Sequence, residues 1–319
     1  MIRLVSLALL AISLSAQGIP SGQDQELSRA AKNPYDLARY IDSHLGFDWG
    51  VMWRVLGAEP VFIQPCGKLS DGKKRCSTEL ITVLDPDQIV LVIQGDATPA
   101  DVYVRFLQEK TGTWRFAGTF EAFIHNHPRR HEVDRSTGQP FLRVSSQGLR
   151  GSDVDSEIED WFDLTQPGFE PIFSFPVEGH QQPVGFGISR RIVGTINTKQ
   201  DEIDVTLQVH FSATNSEHDL SLGVGWYSGA YTRAKGAKQF SLQNAYEGFG
   251  RQLKMLLTEF EALADLDEGP SDEDLIHYAM AGLKDLASGR DSAAKNWIKQ
   301  FLTKVRDTPE VRELKALLR

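Results

Sequence analysis

Cysteine is almost missing from this chain, and the short signatures that announce a reaction are missing altogether. The sequence has no Gly-x-Ser-x-Gly, no His-Glu-x-x-His and no glycine-rich phosphate loop, which removes the usual warrants for a hydrolase elbow, a zinc protease or a nucleotide site. The two cysteines, Cys66 and Cys76, cannot by themselves supply the four ligands of structural zinc. Nor do they have the Cys-x-x-Cys spacing of redox catalysis. No apolar run reaches the roughly 20 residues that span a bilayer. Positive charge is also short: 34 Lys and Arg stand against 43 Asp and Glu, a net charge of −9. An acidic chain repels phosphate backbones, so nucleic acid is excluded as a partner. The short basic runs Lys73-Lys74-Arg75 and Arg129-Arg130 read as solvated turn residues.

The N-terminus has the layout of a secretory signal peptide over residues 1–18. Arg3 supplies the basic start, Leu4 to Leu14 the short apolar run, and small residues around Ser15 and Gly18 the cleavage region. No cysteine follows the run, which argues against a lipid anchor. The expectation is an exported protein, periplasmic or secreted, with no membrane span in the mature chain. Oxidising surroundings then favour pairing the two cysteines. Between them lies Asp71-Gly72, a strong hairpin signal, so a Cys66–Cys76 disulfide is expected. It would be worth about 3 kcal/mol on the chain-entropy estimate.

Hydrophobic and charged fractions of 41% and 24% are those of a globular protein with a core. Residues 19–57 read as an N-terminal helix and lead-in. Pro34 to His44 forms the helix, with Leu37, Tyr40 and Ile41 on one face. From 58 to 241 the pattern changes to short β-rich runs separated by Gly, Pro, Asp and Asn. Connections such as Asp85-Pro86-Asp87 and Lys110-Thr111-Gly112 are of hairpin length, so neighbouring strands are antiparallel. The clearest strand is Ile203 to Phe211, where five apolar residues alternate with Asp204, Thr206, Gln208 and His210. Such a strand has one dry face and one wet face. The expected fold is therefore a β-rich α+β protein: a large antiparallel meander, built as a sandwich, a barrel or a propeller-like array.

Residues 242–319 read as α-helical. Tyr246, Phe249, Leu253, Leu256, Phe260 and Leu263 form an apolar stripe over 242–264. A second helix is capped by Ser271 with Asp274 at N3, a third starts near Asp291, and Thr308-Pro309 opens a last one. The pair over 272–305 resembles one tetratricopeptide repeat in length and in the spacing of Gly282 and Ala294. A solenoid needs about three such units, so the pair is a generic helical hairpin.

Three patches carry candidate chemistry. In Ile124-His125-Asn126-His127, an extended backbone puts His125 and His127 on one face, where they could share a metal. His131, Glu132 or Asp134 could add a third ligand, and water a fourth. The acids of Asp153-Val154-Asp155-Ser156-Glu157-Ile158-Glu159-Asp160 have a spacing that can wrap calcium, but Ile158 stands where an EF-hand needs glycine. A charged strand edge is the plainer reading. Trp226-Tyr227-Ser228-Gly229-Ala230-Tyr231 gathers aromatics that could stack on a sugar or another apolar ligand, or simply fill a core. Ser70-Asp71-Gly72-Lys73, Ser292-Ala293-Ala294-Lys295 and Lys110-Thr111-Gly112 echo penicillin-recognising enzymes, but in the wrong order and without Ser-Asp-Asn.

No catalytic residue and no cofactor are assigned. The functional expectation is a non-catalytic binding or interaction protein with a small-ligand or protein partner. The alternative is a secreted metal-dependent hydrolase using His125 and His127.

Overall fold

The computed structural model describes residues 22–44, 48–58, 76–82, 86–95, 100–124, 130–136, 139–150, 154–182, 187–199, 202–214, 220–245 and 272–319. The expected signal peptide, Cys66, His125, His127, the Ser271 cap and most of the 242–264 stripe lie outside them.

Three helices come first: α1 (Gly22–Ala30), α2 (Pro34–Ser43) and α3 (Trp49–Leu56). Only α2 is legible from the sequence; α1 and α3 are additions. Asn33 caps α2 by accepting from the amides of Tyr35 and Asp36, with Pro34 already holding a helical φ. Asp48 caps α3 through the Val51 amide, and Gly57 ends it at φ 68°, a left-handed conformation that favours glycine. The helices bury Leu27, Leu37, Tyr40, Ile41, Trp49, Met52 and Trp53 in one cluster.

That cluster sits on a four-stranded antiparallel sheet, β1 (Cys76–Thr82), β2 (Gln88–Gly95), β3 (Ala100–Gln108) and β4 (Trp114–Phe123), ordered as in the chain. Asp42 at the end of α2 stitches helix to sheet, accepting from the Thr78 amide at 3.1 Å and its hydroxyl at 2.9 Å. Leu91, Ile93, Val102, Val104 and Phe106 face the helices. Val90, Val92, Tyr103 and Ala122 face the other way, against Leu142, Val144, Phe162 and Leu164.

Leu142, Val144 and Phe162 belong to the second sheet, and Leu164 follows one of its strands. That sheet has eight strands in strict chain order: β5 (Arg130–Asp134), β6 (Phe141–Arg150), β7 (Val154–Asp163), β8 (Phe173–Gln181), β9 (Ile188–Lys199), β10 (Glu202–Ala213), β11 (Ser221–Thr232) and β12 (Ser241–Ala245). The two sheets stack, with Phe120 edge-on to Phe162 at 4.6 Å, and neither closes on itself, so of the expected architectures the stacked pair is the one present. β5 and β12 differ from the expectation. The first lies in a stretch read as loop, and the second occupies the start of the 242–264 helix.

Arg105 fastens the sheets together. It is 1% exposed and donates to the carbonyls of Leu164 at 2.6 Å, Gln166 at 2.7 Å and Gly168, and to the Gln88 side chain at 2.9 Å. Burial lowers its pKa to about 10, still far above neutrality, so it stays charged. One cation thus satisfies the turn between β7 and β8, whose buried carbonyls would otherwise lack donors. Phe169 of the same turn packs on Gly118, where φ is +143° and a Cβ would collide with the Phe169 side chain.

The far face of the eight-stranded sheet carries Ile203, Val205, Leu207, Val209 and Phe211, the alternating set, together with Phe173, Phe175 and Ile192. It packs on α4 (Asp272–Ser288), α5 (Ser292–Phe301) and α6 (Pro309–Leu317) through Leu275, Ile276, Ala279, Leu283, Trp297, Ile298 and Phe301. Gly282 lets α4 touch the β11 backbone, since a Cβ there would overlap the Leu222 carbonyl. Trp297 donates to the Thr214 carbonyl at 2.8 Å. The layers run helix, sheet, sheet, helix. Among the described residues no helix is long and apolar enough to cross a membrane.

Candidate functional site

The face of the second sheet that is greasy beneath the C-terminal helices turns polar on β5–β7. There, beside β1 and β2, lies a cleft of about 600 Å³. Register explains its charge. Glu132 of β5 stands opposite Arg143 of β6, which stands opposite Trp161 of β7. Ser145 is likewise flanked by Arg130 and Glu159. Strands whose apolar members point at the first sheet must send these residues to the opposite face. Glu79, Gln94, His131, Glu157 and Val177 complete the lining.

Arg143 organises the site. Its Nε and Nη2 donate to the two oxygens of Glu159 at 2.9 and 3.0 Å, a fork-on-fork pair, and Nη1 donates to Glu132 at 2.8 Å. The guanidinium lies 5.0 Å from the centre of the Trp161 ring, and the indole N–H donates to Glu159 at 2.6 Å. Such an arrangement fixes the rotamers of all three side chains. Asp134 lies 3.5 Å from Nη1. Burial alone would raise its pKa, but bonds from Ser136 and the nearby guanidinium bring it below the ordinary carboxylate value. Arg130 approaches Glu157 at 3.7 Å. His131 bridges the sheets: Nδ1 lies 3.2 Å from the Tyr103 hydroxyl on β3, and Nε2 lies 3.3 Å from Glu79 on β1.

The sequence candidates fare differently. His125 and His127 lie outside the described residues. The three proposed third ligands are all held by protein groups, His131 by Tyr103 and Glu79, and Glu132 and Asp134 by Arg143. Among the described residues no group of three His, Cys, Asp or Glu could hold a metal ion. The acidic run becomes β7, and alternation divides it instead of gathering it. Glu157 and Glu159 enter the cleft, Asp155 accepts from Gln147 at 3.0 Å, and Asp160 points away. There Asp160 accepts from Ser174 at 2.5 Å and Ser146 at 3.1 Å, with burial raising its pKa. The aromatic run is divided too. Tyr227 and Tyr231 pack into the core, and burial pushes Tyr231 up to about 12. Trp226 faces solvent.

Comparison with family models, curated proteins and solved structures finds no match to this chain. The site therefore rests on its own chemistry. Glu79 and Gln94, from the paired strands β1 and β2 of one sheet, and Arg143, from β6 of the other, were missed in the sequence and share no spacing that could have announced them. The one available signal was Arg143 itself, a charge set between Leu142 and Val144, which marks the face of β6 turned from the sheet-to-sheet core.

Proposed function

We propose that the protein is an exported, non-catalytic binding protein whose cleft receives a positively charged group, an ammonium or guanidinium, of a small ligand or a protein side chain. The observation that carries this reading is the imbalance of the lining: among the described residues, Glu79, Glu132, Glu157 and Glu159 meet two permanent cations, Arg130 and Arg143. Arg143 is neutralised by Glu159 and Glu132, so the surplus stays negative. A walled cleft concentrates that field on entering cations. Locked rotamers favour recognition, because a pre-ordered site loses little entropy on binding. The signal-peptide layout supports export, and the Asp71-Gly72 turn signal between Cys66 and Cys76 supports their pairing in oxidising surroundings.

Calorimetric titration with argininamide tests the reading. We expect saturable binding that weakens with salt, and that weakens several-fold in Glu132→Gln, whose exposed carboxylate is at the rim. Absence of binding, or equal binding by the variant, would refute it. The hydrolase alternative makes a separate prediction. Stoichiometric metal in the purified protein, lost in His127→Ala, would establish that alternative instead.

A further inference from the structure

We propose that the open outer face of β9–β11 is a binding platform for a neutral glycan, with Trp226 as its stacking residue. Among the described residues, the first sheet packs on this face at β6 and β7, and the C-terminal helices lie on the other side. Over β9–β11 the outer positions are mostly polar, and Val193, Val224, Ala230 and Trp226 are the apolar ones, Trp226 the one aromatic among them. Trp226 is 66% exposed, and Val224, two residues earlier on the same face, is 45% exposed.

The neighbours of Trp226 give the ligand class. Register aligns Trp226 with Gln208 of β10 and Val193 of β9, and the next row aligns Ser228, Thr206 and Thr195. The Thr206 and Ser228 hydroxyls sit 3.4 Å apart. The result is an aromatic plate beside an amide and three hydroxyls, on strands about 4.8 Å apart, a step comparable to one pyranose ring. The charged groups at the margins neutralise one another. Arg191 pairs with Glu178 at 3.0 Å, and Lys199 pairs with Asp204 at 2.6 Å. His210, opposite Val224, adds a ring nitrogen that can donate or accept. A centre without fixed charge offers little to a phosphate or an ammonium. It does suit a molecule with an apolar C–H face and a rim of hydroxyls, which is a sugar ring. The indole takes the C–H face and the amide and hydroxyls take the rim. This site is separate from the acidic cleft and does not depend on its ligand.

Affinity electrophoresis and tryptophan-fluorescence titration of the full chain with cellohexaose, xylohexaose and mannohexaose test the proposal. We expect at least one to bind, Trp226→Ala to bind it roughly tenfold more weakly, and Glu132→Gln in the cleft to bind it unchanged. Because Trp226 packs little, the alanine variant should keep its circular dichroism spectrum and melting temperature. Failure of all three oligosaccharides to bind, or equal binding by Trp226→Ala, overturns the proposal. So does a concentration-dependent dimer in sedimentation that Trp226→Ala abolishes, since the face would then serve a second copy of the chain.

Discussion

The two sheets are made of the same antiparallel hairpins, yet they are written differently. In β2 every residue from Ile89 to Ile93 is buried, and in β3 every residue from Ala100 to Phe106. In β10 burial alternates without a break from Ile203 to Ala213. The difference is the number of covered faces. The four-stranded sheet lies between helices and a second sheet, so its central strands are buried on both sides, β2 by an unbroken apolar run and β3 with Asp101 and Arg105 set among apolar residues. β10 has helices on one side and water on the other. Alternation thus reports half-burial, not strand character, and a continuous apolar run between turns reports a strand in the middle of a stack.

That contrast can be broken at its joint. Arg105→Ala leaves the turn carbonyls without donors between two apolar layers, and should cost about 4 kcal/mol in urea unfolding. A loss below about 1 kcal/mol would mean that the sheets are held by their apolar contact alone. Asp163 tests the other sheet, where it accepts from Arg233 at 2.6 Å and Thr165 at 2.6 Å. Burial would raise this carboxyl, but the bonds from Thr165 and Arg233 outweigh it and hold its pKa below the ordinary value. Its stabilisation is therefore present above the unfolded value of about 4 and is lost as pH falls through the lower folded value. Asp163→Asn should cost about 3 kcal/mol at pH 7, and the gap from wild type should narrow as the solution is acidified below about pH 4. A gap independent of pH would remove the ion pair from the account. Alanine substitutions at neighbouring positions sharpen the comparison directly. Val90→Ala and Leu91→Ala, adjacent but on opposite faces, should each cost about 2 kcal/mol or more. Val205→Ala should behave likewise, while Thr206→Ala should stay within about 0.5 kcal/mol. Equal costs at Val205 and Thr206 would show that the outer face is not open.

Most of the fold was legible because hairpins and amphipathic helices are local patterns. The alternation read over Ile203 to Phe211 lies inside the observed β10, and the helix starts read at Pro34, near Asp291 and at Thr308-Pro309 are those observed. β5 was missed because Arg130, His131, Glu132 and Asp134 leave only Val133 apolar, and pairing with β6 makes it a strand regardless of propensity. β12 was missed because Leu242 fitted a helical stripe equally well, whereas its backbone pairs with β11. The cleft was barely legible. Glu157 and Glu159 were noticed as part of an acidic run, but their partner Arg143 is defined by register, and Glu79 comes from the other sheet. Cross-strand neighbours are fixed by hydrogen-bond ladders that no sequence spacing encodes.

The unbroken chain order of both sheets has a kinetic consequence. Each strand finds its partner by a short loop closure, so the meanders can zip from any hairpin at small entropic cost. The helical cover over Leu207, Val209 and Phe211 is different, because it comes from residues 272–319, which are synthesised after every strand they cover. Until they dock, the longest β strands present a bare oily floor. Nascent or truncated chains are therefore most prone to stick to one another at that stage.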